Sequence, residues 1–395
     1  MKKEKVLIAC SGGPDSMALL DMYKDLKNVY VCHINYHKRK TANRDERIVR
    51  EYCRKYNISI FVYNFKTNKH DNFQKLARDY RYSKFKEVCI NNNINKIYVA
   101  HHMDDHIETY LMQKKRKTDV DYYGISKHIK YDGIDIYRPL INKTKDDLFN
   151  YVIKHNIPYG IDESNSSDKY ERNRIRHNIV SKMSLEEKKD LVDKIALLNK
   201  ELSFQKKECN DFIKKNHNLF DEKQFINYKD FEILIRTLFY KDISLKYITE
   251  IRKALKSTKN VNLLIGNKYL CKEYGHIYVY NYVEPYSYKL ISLNTNLKSS
   301  YFITKKNGKS KEGVFVKDED FPLTIRNYRN GDHIKMRYGT KKINRFFIDN
   351  KISSFDRQIW PVVVNSKGEV ILVPGIGCNY NHYSIKYNLY VLKLS

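Results

Sequence analysis

Ser11-Gly12-Gly13-Pro14-Asp15-Ser16 lies between an apolar run, Val6-Leu7-Ile8-Ala9-Cys10, and the helix-like Met17-Ala18-Leu19-Leu20. The order is strand, glycine turn, helix. Such a turn aims backbone N–H groups at an anion, and the dipole of the following helix adds to the attraction. Gly12 and Gly13 allow close backbone approach to a phosphate, and Ser11 and Ser16 offer hydroxyl donors. Asp15 is the unexpected residue, because a carboxylate beside phosphates implies a bridging cation. The stretch therefore predicts a nucleotide pyrophosphate site with magnesium, held indirectly through Asp15. An ordinary glycine-rich strand-to-helix turn has the same outline, so the decision rests on what surrounds it.

Strand and helix signals alternate outward from this turn. Residues 28–33, 58–65 and 94–100 are β-branched and aromatic runs, while 43–56, 73–90 and 104–114 have helical spacing. Strands separated by helices of this length predict a parallel sheet covered on both faces, with ligands at the carboxyl ends of its strands. Both the Ser11 turn and the segment beginning at His101 fall at such ends.

That segment, His101-His102-Met103-Asp104-Asp105-His106-Ile107-Glu108-Thr109, carries the second concentration of chemistry. Asp105 and Glu108 are three apart and share a helical face. Two carboxylates there can hold an ammonium group or a magnesium ion, and the histidines can donate to phosphate. The residue types also permit a His/Asp metal-hydrolase site, but no further ligand cluster stands at metal-site spacing. Arg78 and Arg81 share a face of the 73–90 helix, within reach of phosphates or a base. A later stretch holds Arg138-Pro139-Leu140, Asp162-Glu163-Ser164-Asn165 and Arg172-Asn173-Arg174-Ile175-Arg176-His177. Its arginines can close over phosphates or grip RNA.

With 74 Lys+Arg against 46 Asp+Glu, the 395-residue chain has a formal net charge of +28, which points to a polyanionic partner. Its seven cysteines, Cys10, Cys32, Cys53, Cys89, Cys209, Cys271 and Cys378, form no CxxC pair. They predict buried thiols in a cytoplasmic setting, without a disulfide framework or zinc knuckle. No stretch reaches the length of a membrane span, and the first apolar run is too short for a signal peptide.

Beyond about residue 182 the character changes. Residues 184–256 are charged and helical, 262–282 form a strand pair around Gly266-Asn267 and Gly275, and 287–311 are polar and connecting. Residues 314–394 hold short β-rich segments. The expected architecture is α/β: a parallel-sheet nucleotide-binding catalytic domain over 1–210, a small, mainly helical domain over 211–285, and an α+β domain over 300–395. Within the last, residues 326–357 interleave basic and aromatic residues, with Lys341, Lys342 and Arg345 at the centre, and predict a grip on RNA phosphates. Two motifs are discarded. Gly308-Lys309-Ser310 has Ile303 where a P-loop needs its first glycine, and Gly375-Ile376-Gly377 has Tyr380 where a dinucleotide turn needs its third.

SGGPDS, ARDYRY, HHMDDHIET, the RPL element, and DESN followed by RNRIRH occur in an order that resembles the tRNA(Ile)-lysidine synthetases of the PP-loop ATP pyrophosphatase superfamily. His33-Ile34-Asn35-Tyr36-His37-Lys38-Arg39 is similar to that family's HxxHxxR segment, with Tyr36 in place of the second histidine. The glycine-rich stretch expected after HHMDDHIET is replaced by Lys114–Asp119. The resemblance extends to Asn330-Gly331-Asp332 and Pro361–Gly375, so it covers nearly the whole chain. It implies that ATP adenylates the C2 oxygen of the wobble cytidine of a CAU-anticodon tRNA(Ile), releasing pyrophosphate. Free L-lysine then attacks C2 and expels AMP. ATP and magnesium would bind at Ser11, Gly12, Gly13, Pro14, Asp15 and Ser16. Arg78 with His101 or His102 would stabilise the α-phosphate. Asp105 and Glu108 would bind and orient lysine. Arg172, Arg174 and Arg176, with the C-terminal basic cluster, would hold tRNA. The state of association is left open, a dimer among the options. A cytidine or uridine thiolase of the same superfamily and a non-enzymatic RNA-binding protein are the competing readings.

Overall fold

The computed structural model describes residues 5–37, 41–65, 73–116, 120–161, 171–240 and 242–394. It divides into two compact units, residues 1–204 and 205–395.

The first unit is built on β1 (Val6–Ala9), α1 (Pro14–Tyr23), β2 (Val29–Asn35), α2 (Ala42–Lys55), β3 (Ser59–Asn64), α3 (Phe73–Asn91), β4 (Lys96–Val99), α4 (Met103–Arg116), β5 (His128–Tyr131), β6 (Ile134–Tyr137), α5 (Lys145–Lys154) and α6 (Glu171–Asn178). The sheet order is β3-β2-β1-β4-β6-β5, parallel except for the β5–β6 pair. Period-two alternation in β1 explains the two covered faces. Val6 and Ile8 pack into one core with Leu19, Leu20, Val49, Leu148 and Val152 of α1, α2 and α5. Leu7 points to the opposite core, with Tyr82, Phe85 and Val88 of α3. Chain order reverses between β1 and β4, whose carboxyl ends therefore flank the crevice where such sheets bind ligands.

The antiparallel edge strand β5 lies outside the all-parallel expectation. Its turn is Asp132-Gly133, both with positive φ (48° and 84°). An Asp-Gly pair between alternating residues is a hairpin signal that the sequence does carry. The Arg138 backbone follows directly and is thereby fixed beside β4.

Helix α7 (Leu185–Asn216) runs across the division in the chain. Near its start, Leu191 and Val192 pack with Met103, Ile107, Ile175 and Val180. Lys188 forms a buried ion pair with Asp104, whose other oxygen accepts the Lys145 N–H at 2.8 Å. This pair anchors the first turn of α4, which carries the candidate site.

The second unit begins with β7 (Leu219–Asp221), α8 (Glu222–Ile226), α9 (Phe231–Leu238), α10 (Leu245–Leu255), β8 (Val261–Ile265), β9 (Lys268–Glu273) and β10 (His276–Asn281). Three strands, not two, follow α10, and β7 inside the helical stretch joins them in the order β7-β10-β9-β8. Phe220 of β7 is fully buried against Phe225, which explains a strand too short for its periodicity to register. Next come β11 (Ser287–Leu290), β12 (Phe302–Lys305), β13 (Gly313–Val314), β14 (Leu323–Asn327), β15 (His333–Met336), β16 (Gly339–Lys342), α11 (Ile343–Asp349), α12 (Ser354–Ile359), β17 (Pro361–Val364), β18 (Val370–Val373), β19 (Gly377–Cys378) and β20 (Leu389–Lys393). They form sheets β11-β14-β17-β18-β19 and β12-β20-β13, plus the β15–β16 hairpin. β11 and β12 occupy residues expected to be connecting. Both are edge strands; β11 buries only Leu290, so polarity hides it, while β12 is only four residues long, with Phe302 and Thr304 turned inward.

Removing one member of a buried ion pair strands the other, at a cost of about 3–5 kcal/mol. Lys188→Met should lower unfolding stability by roughly that amount in urea titration. Lys188→Met combined with Asp104→Leu should recover part of the loss.

Candidate active site

The Ser11 turn holds itself together. The Ser16 hydroxyl donates to the Gly13 carbonyl at 2.9 Å and accepts from the Ser11 N–H at 3.1 Å, leaving the Ser11 hydroxyl to donate to Ser16 at 3.1 Å. Ser16 thus shapes the turn, although its residue type suggested a phosphate donor. Gly13 caps α1 without any side-chain bond, and Pro14 follows at the first helical position, so the helix start is open to a ligand. Gly12 has φ 87°, and a Cβ there would stand 2.9 Å from the Asp45 carbonyl oxygen. Its own carbonyl accepts the Gly160 N–H at 2.8 Å. A Cβ on Gly160 would lie 2.0 Å from the Asp45 carboxylate, which Arg44 grips at 2.8 Å. Asp45 and Gly160 therefore support the turn from behind, and only this packing reveals them.

In front of the turn lies a cavity of about 220 Å³, lined by Ser11, Gly13, Asp15 and Ser16 on one side. Ile34, Tyr36, Arg81, Tyr82, Phe85 and His101 line the other. The apolar and aromatic wall suits a planar base, and the polar wall suits phosphates. Arg81, not Arg78, reaches the cavity. It donates through Nε to the Tyr36 hydroxyl at 2.7 Å. Arg78 is exposed, its guanidinium 4.8 Å above the Tyr82 ring. Tyr36 thus has its own role as the partner of Arg81, while His33 is buried with Nδ1 2.9 Å from the Cys10 carbonyl. Lys38 and Arg39 lie outside the described residues, as do Asp162-Glu163-Ser164-Asn165 and Lys117–Asp119.

His101 and His102 divide the work. His101 lines the cavity; burial pushes it down to about 4, with Asp105 opposing and Arg138 and Arg172 adding to the fall. It is neutral at physiological pH. His102 is buried among three carboxylates, with Nε2 3.3 Å from Asp105 and 3.7 Å from Asp15, and Nδ1 3.7 Å from Asp104. It links the phosphate turn to the acidic helix.

Burial pushes the Asp15 carboxyl above its usual range, with His102 opposing. Its Oδ1 is buried with no hydrogen-bond partner. An orphaned carboxylate oxygen beside a phosphate turn fits a cation that takes one or two protein carboxylates and completes its shell with phosphates and water, as magnesium does. Among the described residues no group of three or more His, Cys, Asp or Glu could hold a metal by itself.

Glu108 and the arginines of α6 account for one another. Glu108 is 0% exposed, and both its oxygens are occupied: Oε1 accepts from Arg176 Nε at 2.6 Å, and Oε2 from Arg172 Nε at 2.8 Å and Arg176 Nη2 at 3.0 Å. Asp105 lies 3.3 Å from Arg172 and 3.4 Å from Arg176. Burial pushes Asp105 up, but His102, Arg172 and His101 outweigh it and hold the carboxyl below its usual range. Arg172 and Arg176, expected to grip RNA, face these carboxylates, while Arg174 is exposed. In the second unit the whole of β16 is exposed. Lys341 stands 5.0 Å from the Phe346 ring centroid, and the exposed Arg345 pairs with Asp349 at 3.0 Å.

Cys10 and Cys32 also border the cavity, but burial pushes their thiols up to about 11 and about 12. Neither is a thiolate nucleophile at neutral pH, which counts against thiolase chemistry. All seven cysteines are free and buried.

Residues 1–183 match the PP-loop domain family, and residues 323–384 match the TilS substrate C-terminal domain. The tRNA(Ile)-lysidine synthase of Mycoplasma mycoides subsp. mycoides SC is 33% identical over 394 residues, spanning 94% of this chain and 96% of that protein. The chain belongs to the tRNA(Ile)-lysidine synthase family. The namesake protein of Mesoplasma florum is 31% identical over 392 residues, covering 93% of this chain and 96% of its own. That of Mycoplasmopsis pulmonis is 39% identical over 279 residues, or 67% and 96%. Membership in this family implies that the chain binds ATP, and no helix among the described residues is long and apolar enough to cross a membrane.

Gly12→Ala combines a left-handed backbone with a collision against a main-chain oxygen. It should cost about 1–3 kcal/mol of stability and weaken ATP binding by more than tenfold, measured by chemical denaturation and calorimetry. Wild-type ATP affinity in a folded Gly12→Ala variant would show that the turn is not the phosphate site.

Proposed function

We propose that this chain ligates free L-lysine to C2 of the wobble cytidine of a CAU-anticodon tRNA(Ile) in two steps. The carrying observation is His102, which contacts Asp15 of the phosphate turn and Asp105 of the acidic helix and so makes them one site. In the first step the cytidine C2 oxygen attacks the α-phosphorus of ATP. The bond to the bridging oxygen breaks, and pyrophosphate leaves. In the second, the lysine side-chain amine attacks C2, the C2–oxygen bond breaks, AMP leaves, and the nitrogen loses its proton.

The triphosphate occupies the Ser11 turn and the open start of α1, with the base against the aromatic wall. Bound magnesium supplies charge neutralisation at the phosphates, and Asp15 is the residue to hold it. Arg81 and His101 donate to the α-phosphate from the opposite wall, a role that Arg78 could take only by leaving Tyr82. Asp105 binds the lysine ammonium. Glu108, sealed by two arginines, orients Asp105 through them rather than touching lysine. Residues 1–210 carry the catalysis, and 211–285 with 300–395 hold the tRNA, in the cytoplasmic setting that seven unpaired thiols suit.

The direct test incubates the chain with ATP, labelled lysine and tRNA transcript. Label should enter the RNA only when ATP is present and the anticodon is CAU; absence of label with a folded, ATP-binding protein overturns the reading. In the same assay Asp105→Asn should raise the lysine KM about tenfold or more while the ATP KM changes little. Glu108→Gln should act on the fold instead, costing roughly 1–3 kcal/mol as two arginines lose their charged partner. A raised lysine KM in Glu108→Gln at unchanged stability would return Glu108 to the lysine site.

Lys341, Lys342 and Arg345 are proposed to bind tRNA phosphates. Removing any one of these cation–phosphate pairs should flatten the salt dependence of binding by roughly 0.7 to 0.9 in log–log slope. The triple alanine variant should bind full-length tRNA more weakly and with a shallower slope, with ATP and lysine binding intact. Wild-type affinity and slope in that variant would remove the cluster from the tRNA interface.

A further inference from the structure

Arg138 is a cation with 5% of its surface exposed, and no carboxylate among the described residues pairs with it. Its Nη1 donates to the Ser126 carbonyl at 2.6 Å, and its Nε donates to His101 Nδ1 at 3.1 Å. A guanidinium has five donors and no acceptor, so the nitrogen facing it must carry a lone pair. In neutral His101 the proton is then on Nε2. His101 lines the cavity and Arg138 does not; with Nδ1 taken by Arg138, Nε2 is the ring nitrogen left to donate to a ligand there.

We propose that Arg138 is a positioning residue that locks His101 as a neutral Nε2–H donor aimed into the ATP cavity. Protonation of His101 would place an N–H against the guanidinium and break the bond, so the lock also opposes the imidazolium. His101 is then a fixed hydrogen-bond donor to charge developing on a phosphate, and not an acid or base that titrates near neutrality. Its low proton affinity agrees. Burial, with Arg138, Arg172 and His102, outweighs the opposing pull of Asp105 on the ring. The backbone supports the arrangement: the Arg138 N–H donates to the Lys127 carbonyl at 2.9 Å, tying it to the β5–β6 hairpin.

The inference rests on the proposed adenylation for its purpose, but its core is a tautomer that can be read independently. The test uses the full-length chain with 15N-labelled histidine and two-bond proton–nitrogen NMR, His101 being assigned by the signal that disappears in His101→Asn. At neutral pH Nδ1 should resonate as an unprotonated acceptor and Nε2 as the N–H. A protonated Nδ1 overturns the lock outright, whatever the chain's activity. Arg138→Met removes donor and charge at similar volume; the ring should relax to a tautomer mixture and titrate at higher pH. The rate of tRNA-dependent pyrophosphate release at saturating ATP should fall on the order of 10- to 100-fold, the loss seen when the hydrogen-bond partner that orients a metal-ligating histidine is removed. The ATP KM should move much less. Arg138→Gln keeps a donor without the charge and should restore the tautomer and most of the rate. If Arg138→Met does not fold, the wild-type and Arg138→Gln spectra still decide. Unchanged tautomer, titration and rate in Arg138→Met overturn the proposal. A correct tautomer in a chain that forms no lysidine would indict the proposed reaction and leave the lock standing.

Discussion

Glu108 is a carboxylate with no exposed surface, and the two arginines that neutralise it come from a different helix, more than sixty residues later in the chain. A lone buried carboxylate would protonate or unfold its surroundings. Paired twice, it does neither, and α6 is fixed against α4 in a single register. Arg172 and Arg176 each reach Asp105 as well, so the same clamp sets the direction and charge of that carboxylate too. From Asp105 the chain of contacts runs through His102 to Asp15 and the phosphate turn. A buried salt bridge is weak evidence of stability. Here it specifies geometry, and the geometry assembles three elements into one site.

The site holds opposite signs of charge at close quarters. Asp15, with one oxygen buried and unpartnered, is a local cost that a ligand-bound cation can relieve, and such orphans mark places where structure is spent on function. His101 stays neutral while His102, one residue on, is surrounded by carboxylates. The two are told apart by their partners: a guanidinium behind the first, three carboxylates around the second.

Much of this was legible in the sequence, because the informative residues are local. The glycine turn, the alternation of periods, and the spacing of Asp105 and Glu108 each need only a short window, and they place the sheet, the crevice and its two halves. What the sequence hid depends on residues far apart. Arg78 and Arg81 share a helical face, and only the position of Tyr36, at the end of β2, selects Arg81 for the cavity. Arg172 and Arg176 read as a basic surface because their acidic partners lie on another element. Asp45 and Gly160 carry no motif at all; their function is to occupy the space behind Gly12. β11 was hidden for the opposite reason: an edge strand that buries only Leu290 shows little periodicity.

The electrostatics also constrain how the second step of the proposed reaction can proceed. A lysine amine attacks only when unprotonated, and free in water it is protonated at neutral pH. An effective general base has a proton affinity near the operating pH. Asp105 is the group best placed to meet the ammonium, yet His102, Arg172 and His101 hold its carboxyl below the usual range in spite of burial. Such a carboxylate is a good electrostatic partner and a poor proton acceptor. As the proposed lysine site, it would concentrate and orient lysine in its charged form and so favour that form. In the proposed reaction the site thus binds lysine and holds it back, so that nucleophilic attack depends on the activated C2 centre and its phosphate leaving group more than on a strong base beside the amine.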